Sequence, residues 1–188
     1  MATKYVATDG NDSNDGSSGS PWATVDHAID TVSNDDIIQI AAGTYAEENI
    51  NTSDYSVTGI TIKGAAGATV ILQGDGSSAY GIRSGDEWTI QNLRFTNYGT
   101  SGYSALSQRQ TSYSDIIVQD CYFYSCLGQA IVLGTAGSCI IRRCYFLDIG
   151  DNGVTLTAPD CTIENCVFVN VKGSAVDASN ANCTGTTI

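Results

Sequence analysis

Four groups of side chains in this chain have types and spacings that could do chemistry. Asp9, Asn11, Asp12 and Asp15 share one loop, Asp9-Gly-Asn-Asp-Ser-Asn-Asp-Gly16, whose D-x-N-x-S spacing is that of an oxygen-ligand loop for calcium. No bidentate Glu follows at the twelfth position, and a solvated turn held by Asx bonds is the plainer reading. Asp148 and Asp151 form a local acidic pair, the arrangement acid–base catalysis uses, although turn carboxylates that satisfy backbone N–H groups look the same in sequence. Arg109, Tyr113, Tyr122 and Tyr145 are candidates for a binding surface, because Tyr and Arg supply stiff contact area with a polar tip. His27 is the only histidine; without positioned partners it reads as a surface residue.

The seven cysteines are the fourth group. Cys121, Cys144 and Cys166 form one column, following Leu93, and Cys139, Cys161 and Cys183 form a second at steps of 22 residues. Both take inward positions otherwise held by aliphatic side chains, so they read as reduced core thiols. Stacked strands lie about 4.8 Å apart, within the Cα range of a disulfide, so distance leaves bridging open. Cys126 lies outside both columns and is expected to be exposed. There is no CxxC pair, which argues against zinc.

What positions these groups is a repeat. Ile90-Gln-Asn-Leu-Arg-Phe95, Val118-Gln-Asp-Cys-Tyr-Phe123, Ile141-Arg-Arg-Cys-Tyr-Phe146 and Ile163-Glu-Asn-Cys-Val-Phe168 are one phrase, with first residues 28, 23 and 22 apart. Such periods mark a solenoid. Apolar residues at positions one, four and six make two short half-buried strands meeting at a bend. The bend falls at Asn92, Asp120, Arg143 and Asn165, and Asn and Asp tolerate left-handed backbone. A third strand follows in each rung, at Ile82, Leu106, Ile131–Leu133, Val154–Leu156 and Val176. The spacing predicts an all-β, single-stranded parallel β-helix with three strands per rung.

Residues 1–58 differ and read as an N-terminal strand, loop and helix leading into the coils of 59–188. Apolar residues at 22, 25, 28, 29 and 32 predict a helix over 22–32, with Thr24 a candidate N-cap, lying across the first coil as a cap. The chain has 188 residues, 15% charged, with a net charge of −12. That charge argues against nucleic acid as partner, since phosphate binding needs Lys and Arg, and no apolar run of about 18 residues is present to insert in a membrane. The Met1-Ala-Thr-Lys start carries no signal peptide, so either a signal lies outside this chain or the protein leaves its cell by another route. Ile188 comes soon after Cys183 opens another rung, which leads us to expect a fragment, a stacked neighbour, or an end folded over the core.

The opening Tyr5-Val-Ala, the Gly/Asp/Asn/Ser loop, Pro21-Trp-Ala-Thr, Ala28-Ile29, Ile37–Ile40 and Gly43-Thr-Tyr45, together with the coils, resemble a right-handed parallel β-helix of the pectate-lyase-like superfamily. Membership of its lyases implies calcium-binding carboxylates on adjacent strands with a nearby Arg or Lys as base. The outward third-strand positions are Gly81 and Arg83, Ala105 and Ser107, Ala130 and Val132, Gly153 and Thr155, Ala175 and Asp177, with one carboxylate among them. Resemblance to a polygalacturonase-type hydrolase implies an Asn-Thr-Asp, Asp-Asp, Gly-His-Gly and Arg-x-Lys series, of which Gly150-Asp-Asn-Gly153 is a partial echo. The expectation is therefore a non-enzymatic structural or adhesive surface module, on a virion (capsid decoration protein, fibre or tailspike part) or an extracellular surface. It would need no cofactor, calcium aside, and its partners would be copies of itself, other virion or surface proteins, or glycans. A polysaccharide lyase or glycoside hydrolase, truncated or with an inter-subunit site, and a filament-forming sheath protein are the alternatives. Val132 and Ala130 are expected to add a small outward apolar patch.

Overall fold

The computed structural model describes residues 1–51, 57–77, 79–100, 102–108, 115–134, 137–157 and 159–179. Three parallel sheets run along the chain's coils. The first stacks Thr3–Val6, Ile37–Ile40, Thr61–Gly64, Thr89–Gln91, Ile116–Gln119, Cys139–Arg142 and Cys161–Glu164. The second stacks Gly43–Ala46, Val70–Gln73, Arg94–Thr96, Tyr122–Tyr124, Tyr145–Ile149 and Val167–Val171. The third holds Ile82–Ser84, Ser104–Gln108, Gln129–Leu133, Val154–Leu156 and Val176–Asp177. Ile37–Ile40 already pairs with Thr61–Gly64, and Gly43–Ala46 with Val70–Gln73, so a paired coil precedes Ile60.

Period-two alternation decides the interior. Ile38, Ile62, Ile90, Val118, Ile141 and Ile163 are directly paired down the first sheet and all buried. Tyr45, Leu72, Phe95, Phe123, Phe146 and Phe168 are likewise paired down the second, all buried but Phe168, which is partly so. The four Phe rings stack at centroid separations of 4.8, 5.1 and 4.5 Å, with planes within 7°. Parallel register thus converts one Phe per repeat into a continuous ladder.

The bends are left-handed. Asn92, Asp120, Arg143 and Asn165 have φ of 52–56°, as the repeat predicts. A second such column, Asn97, Ser125, Asp148 and Asn170, closes the second sheet at φ of 51–59°. Asn side chains repay the strain by donating across the coil: Asn92 Nδ2 to the carbonyls of Gly64 and Ala65, and Asn97 Nδ2 to that of Gly74 at 2.8 Å.

The helix is shorter than periodicity predicts, spanning Val25–Thr31 with Thr24 as its N-cap. Trp22 is excluded because it bridges to Val6 as extended chain and donates its Nε1–H to the Asn14 carbonyl at 2.8 Å. Val25, Ala28 and Ile29 are buried in the core, and the helix packs against Thr3–Val6 and Ile37–Ile40. Its first N–H groups are satisfied from outside: Glu47 Oε1 and Oε2 accept from the N–H groups of Val25 and Asp26, both at 2.9 Å, and Thr24 Oγ1 from that of His27.

Candidate functional site

The outward side of the second sheet is the most distinctive surface. Register places Arg94, Tyr122, Tyr145 and Val167 in one column and Tyr124, Leu147 and Val169 in the next. Tyr122 stacks on Tyr124 at 5.2 Å and meets Tyr145 at 5.1 Å, and the Arg94 guanidinium lies 5.9 Å from the Tyr122 ring. Tyr145, Val167 and Val169 are 36, 47 and 39% exposed, so apolar and aromatic area faces solvent across consecutive rungs. Beside it runs a groove of about 390 Å³ lined by Arg94, Asp120, Tyr122 and Arg143. Arg143 Nε and Nη2 donate to the two Asp120 oxygens at 2.7 and 2.8 Å, and these bonds hold the Asp120 carboxyl below its ordinary range. Both partners are nearly half exposed, with side-chain values of 48 and 44%. Asp120→Asn, which keeps a side chain tolerant of left-handed φ, should therefore change unfolding free energy by less than about 1 kcal/mol in a denaturant titration.

Tyr122 and Tyr145 are thus brought together as the sequence suggests. Arg109 and Tyr113 lie outside the described residues, as does Cys183.

The Asp-rich loop is occupied by its own backbone. Asp12 accepts from the N–H groups of Ala23 and Thr24 and from Thr24 Oγ1, at 2.8, 3.0 and 2.9 Å. Asn11 and Asp15 accept from the N–H groups of Ser13 and Ser17, two Asx turns. Asp9 is exposed in the same loop. Among the described residues no three His, Cys, Asp or Glu side chains are grouped to hold a metal. Burial pushes the Asp12 carboxyl up, but the bonds from Thr24 and Ala23 outweigh it and leave the group below its ordinary value. A depressed carboxylate stabilises the fold at neutral pH and loses that contribution as pH falls through its folded pKa. Asp12→Ala should cost about 1–2 kcal/mol at pH 7, and the gap from the native chain should close in acid below the ordinary carboxylate range, as read by urea unfolding at several pH values.

Asp148 sits in the second left-handed column and accepts a hydrogen bond from Asn170 Nδ2. The cavity at that corner is lined by Asp148 and Lys172 but not by Asp151, whose backbone carbonyl accepts from Gly173 N–H. On the third sheet Arg83, Ser107, Val132, Thr155 and Asp177 are paired in one column, but Ser107 and the neighbouring Ala105 are buried, not outward as the sequence suggests. Asp177 accepts from Ser179 and from Asn152 Nδ2, and the Ser179 bonds lower its pKa. Ala130 is fully buried, so the apolar patch expected at Ala130 and Val132 is reduced to the half-buried Val132.

Two expectations for cysteine are overturned. Cys139 and Cys161, directly paired on neighbouring strands with Cα atoms 4.5 Å apart, are joined in a disulfide. Parallel register places like residues face to face, so a same-column pair needs no backbone movement to bridge. Cys126 is buried, not exposed. It follows the left-handed Ser125, as Tyr98 follows Asn97 and Ile149 follows Asp148, and that bend turns the next side chain inward. Burial pushes its thiol up to about 12. Cys121, Cys144 and Cys166 are free.

Parallel sheets joined by short left-handed corners, three strands to a coil, define the parallel β-solenoid class of protein. A family model described as "right handed beta helix region" matches residues 49–188, and the chain belongs to that family. This agrees with the right-handed parallel coil that the resemblance implies. No curated protein matches the sequence. Among solved structures the chain is similar to one titled "Rhamnogalacturonan lyase", at 14% identity and a TM-score of 0.38, covering 95% of this chain and 65% of that one. A second, titled "Crystal structure of pectate lyase Pel9A", shares 16% identity at a TM-score of 0.39, covering 98% of this chain and 80% of the other.

Proposed function

We propose that the protein is a non-enzymatic structural or adhesive surface module that works by contact through the outer face of its second sheet. One observation carries this reading: Tyr122, Tyr124 and Tyr145, flanked by Arg94 and the exposed Val167 and Val169, form a continuous aromatic and apolar face over neighbouring rungs. Tyr and Arg are the side chains that dominate contact energetics, and the coil holds them at fixed spacing. The test is Tyr122→Ala/Tyr145→Ala. Both side chains point outward, so the fold should survive, while capture of the protein by an immobilised panel of surface polysaccharides, and its self-association, should be lost. Unchanged capture and association would remove the face from the reading. Incubation with polygalacturonate or alginate should give no absorbance of an unsaturated product; a rise would favour the lyase alternative.

Within that class we place the protein on a virion, as a capsid decoration protein, fibre or tailspike part, or on an extracellular surface, where a rigid coil presenting a repeated contact face is of use. What supports this is architectural analogy. Antibody labelling of purified particles tests it, and absence of label from every particle fraction would count against it.

A further inference from the structure

The contact face has a charged margin. The chain holds eight Lys and Arg against twenty Asp and Glu, yet Lys63, Arg94, Arg142 and Arg143 all lie along the first bend and its flanks. Lys63 and Arg142 belong to one outward column of the first sheet, with Gln91 and Gln119 between them; Arg142 Nε donates to Gln119 Oε1 at 2.8 Å, and Gln119 in turn to Gln91. Arg94 stands on the second-sheet side, against Tyr122. The groove lined by Arg94 and Arg143 shares Asn92 and Asp120 with a second, about 530 Å³, lined by Lys63 and Gln91. Asp120 and Glu164 are the acids placed along this ridge. At the other extreme, residues 1–36 contain seven Asp and a single Lys. Asp9, Asp15, Asp26, Asp30 and Asp35 of this N-terminal pole are exposed.

Resting on the reading of the second sheet as a contact face, we infer that the Lys63–Arg94–Arg143 ridge is a docking site for a second copy of this chain, which presents its acidic N-terminal pole to it. The Tyr and Val side chains supply apolar contact area, and the ridge cations pair with the pole's carboxylates. The two patches differ, so the contact is heterologous: each copy keeps one free ridge and one free pole, and assembly continues unless the rotation closes a ring. Net charge of −12 on both copies opposes approach. At physiological ionic strength the Debye length of about 8 Å screens that distant repulsion and leaves the pairs at contact range. Salt acts on both effects in opposite senses, which makes exchange of charges the cleaner test.

Two variants of the full chain separate the patches: a ridge variant, Lys63→Glu/Arg94→Glu, and a pole variant, Asp9→Lys/Asp26→Lys, each checked by circular dichroism for an unchanged fold. In sedimentation velocity over a concentration series, the native chain should associate and each variant alone should do so at least tenfold more weakly. An equimolar mixture should associate again, because the pole variant keeps an intact ridge and the ridge variant an intact pole, and the two exchanged patches are opposite in charge. The neutral Lys63→Gln/Arg94→Gln chain provides a second ridge variant if the glutamates unfold the strands. A native chain that stays monomeric at every concentration, or a mixture that stays monomeric, overturns the inference. If the chain is monomeric while Tyr122→Ala/Tyr145→Ala still abolishes capture by a polysaccharide, the contact face stands and only its partner as assigned here falls.

Discussion

Phe123→Ala is expected to destabilise the protein by about 3–5 kcal/mol and to lower its melting temperature by roughly 6–20 °C. Phe123 is fully buried between Phe95 and Phe146, at 4.8 and 5.1 Å, with planes within 7° of each. Removing the ring leaves a slot with aromatic faces above and below. Those faces cannot close on it, because backbone hydrogen bonds hold adjacent strands about 4.8 Å apart. The site therefore sits near the upper end of large-to-small costs, where collapse is blocked. Phe168, the last ring of the described ladder, is only partly buried and stacks on one side, against Phe146. Phe168→Ala should cost less than half as much. Urea unfolding of both variants measures the difference, and equal losses would mean that neither the burial nor the two-sided stacking of Phe123 sets the cost.

Reduction of the Cys139–Cys161 disulfide should cost about 3 kcal/mol, by the loop-closure relation for its sequence separation of 22 residues. The two strands are already paired in register, so little of this effect arises in the folded coil. It comes from the unfolded chain, which regains the freedom of one rung. Melting with and without a reductant reads the loss, Cys161→Ser should melt like the reduced native protein, and peptide mapping should recover Cys139 linked to Cys161. Alkylation gives a second readout: with its thiol pushed up to about 12 by burial, Cys126 should react only once the protein unfolds.

The repeat made the coil legible because it fixes register as well as element type. Four phrases align Ile90 with Val118, Ile141 and Ile163, and the sheet pairs those residues. The bend residues were legible for the same reason, since Asn and Asp recur where φ must be positive. The second bend was only half visible. Asn97 and Asn170 mark it, but Ser125 breaks the pattern, so the inward turn of the following Cys126 went unseen. Tyr98, buried with its hydroxyl donating to the Glu47 carbonyl at 2.7 Å, holds the same place one coil earlier. Trp22 carried a helical spacing by coincidence; its partners, Val6 and Asn14, lie 16 and 8 residues back, beyond the reach of a periodic pattern. The column spacing placed Cys139 and Cys161 opposite one another but does not encode oxidation. Of the contact face, Tyr122 and Tyr145 were evident from alternation. The exposure of Val169 and the convergence of Lys63 with Arg94 depend on which face each sheet turns outward at the corner, and only the folded coil specifies that.

The pairs of left-handed corners have one more consequence. They give the coils built on Phe95, Phe123, Phe146 and Phe168 the same two left-handed residues, and differences in coil length fall in the segments that enter and leave the third sheet. Each coil then acts as one graduation of a ruler, adding about 4.8 Å of length without altering the cross-section. Excising residues 139–160 would remove one graduation and bring Phe168 onto Phe123. In such a molecule, length is a quantity that can be edited in whole units, separately from the surface each unit displays.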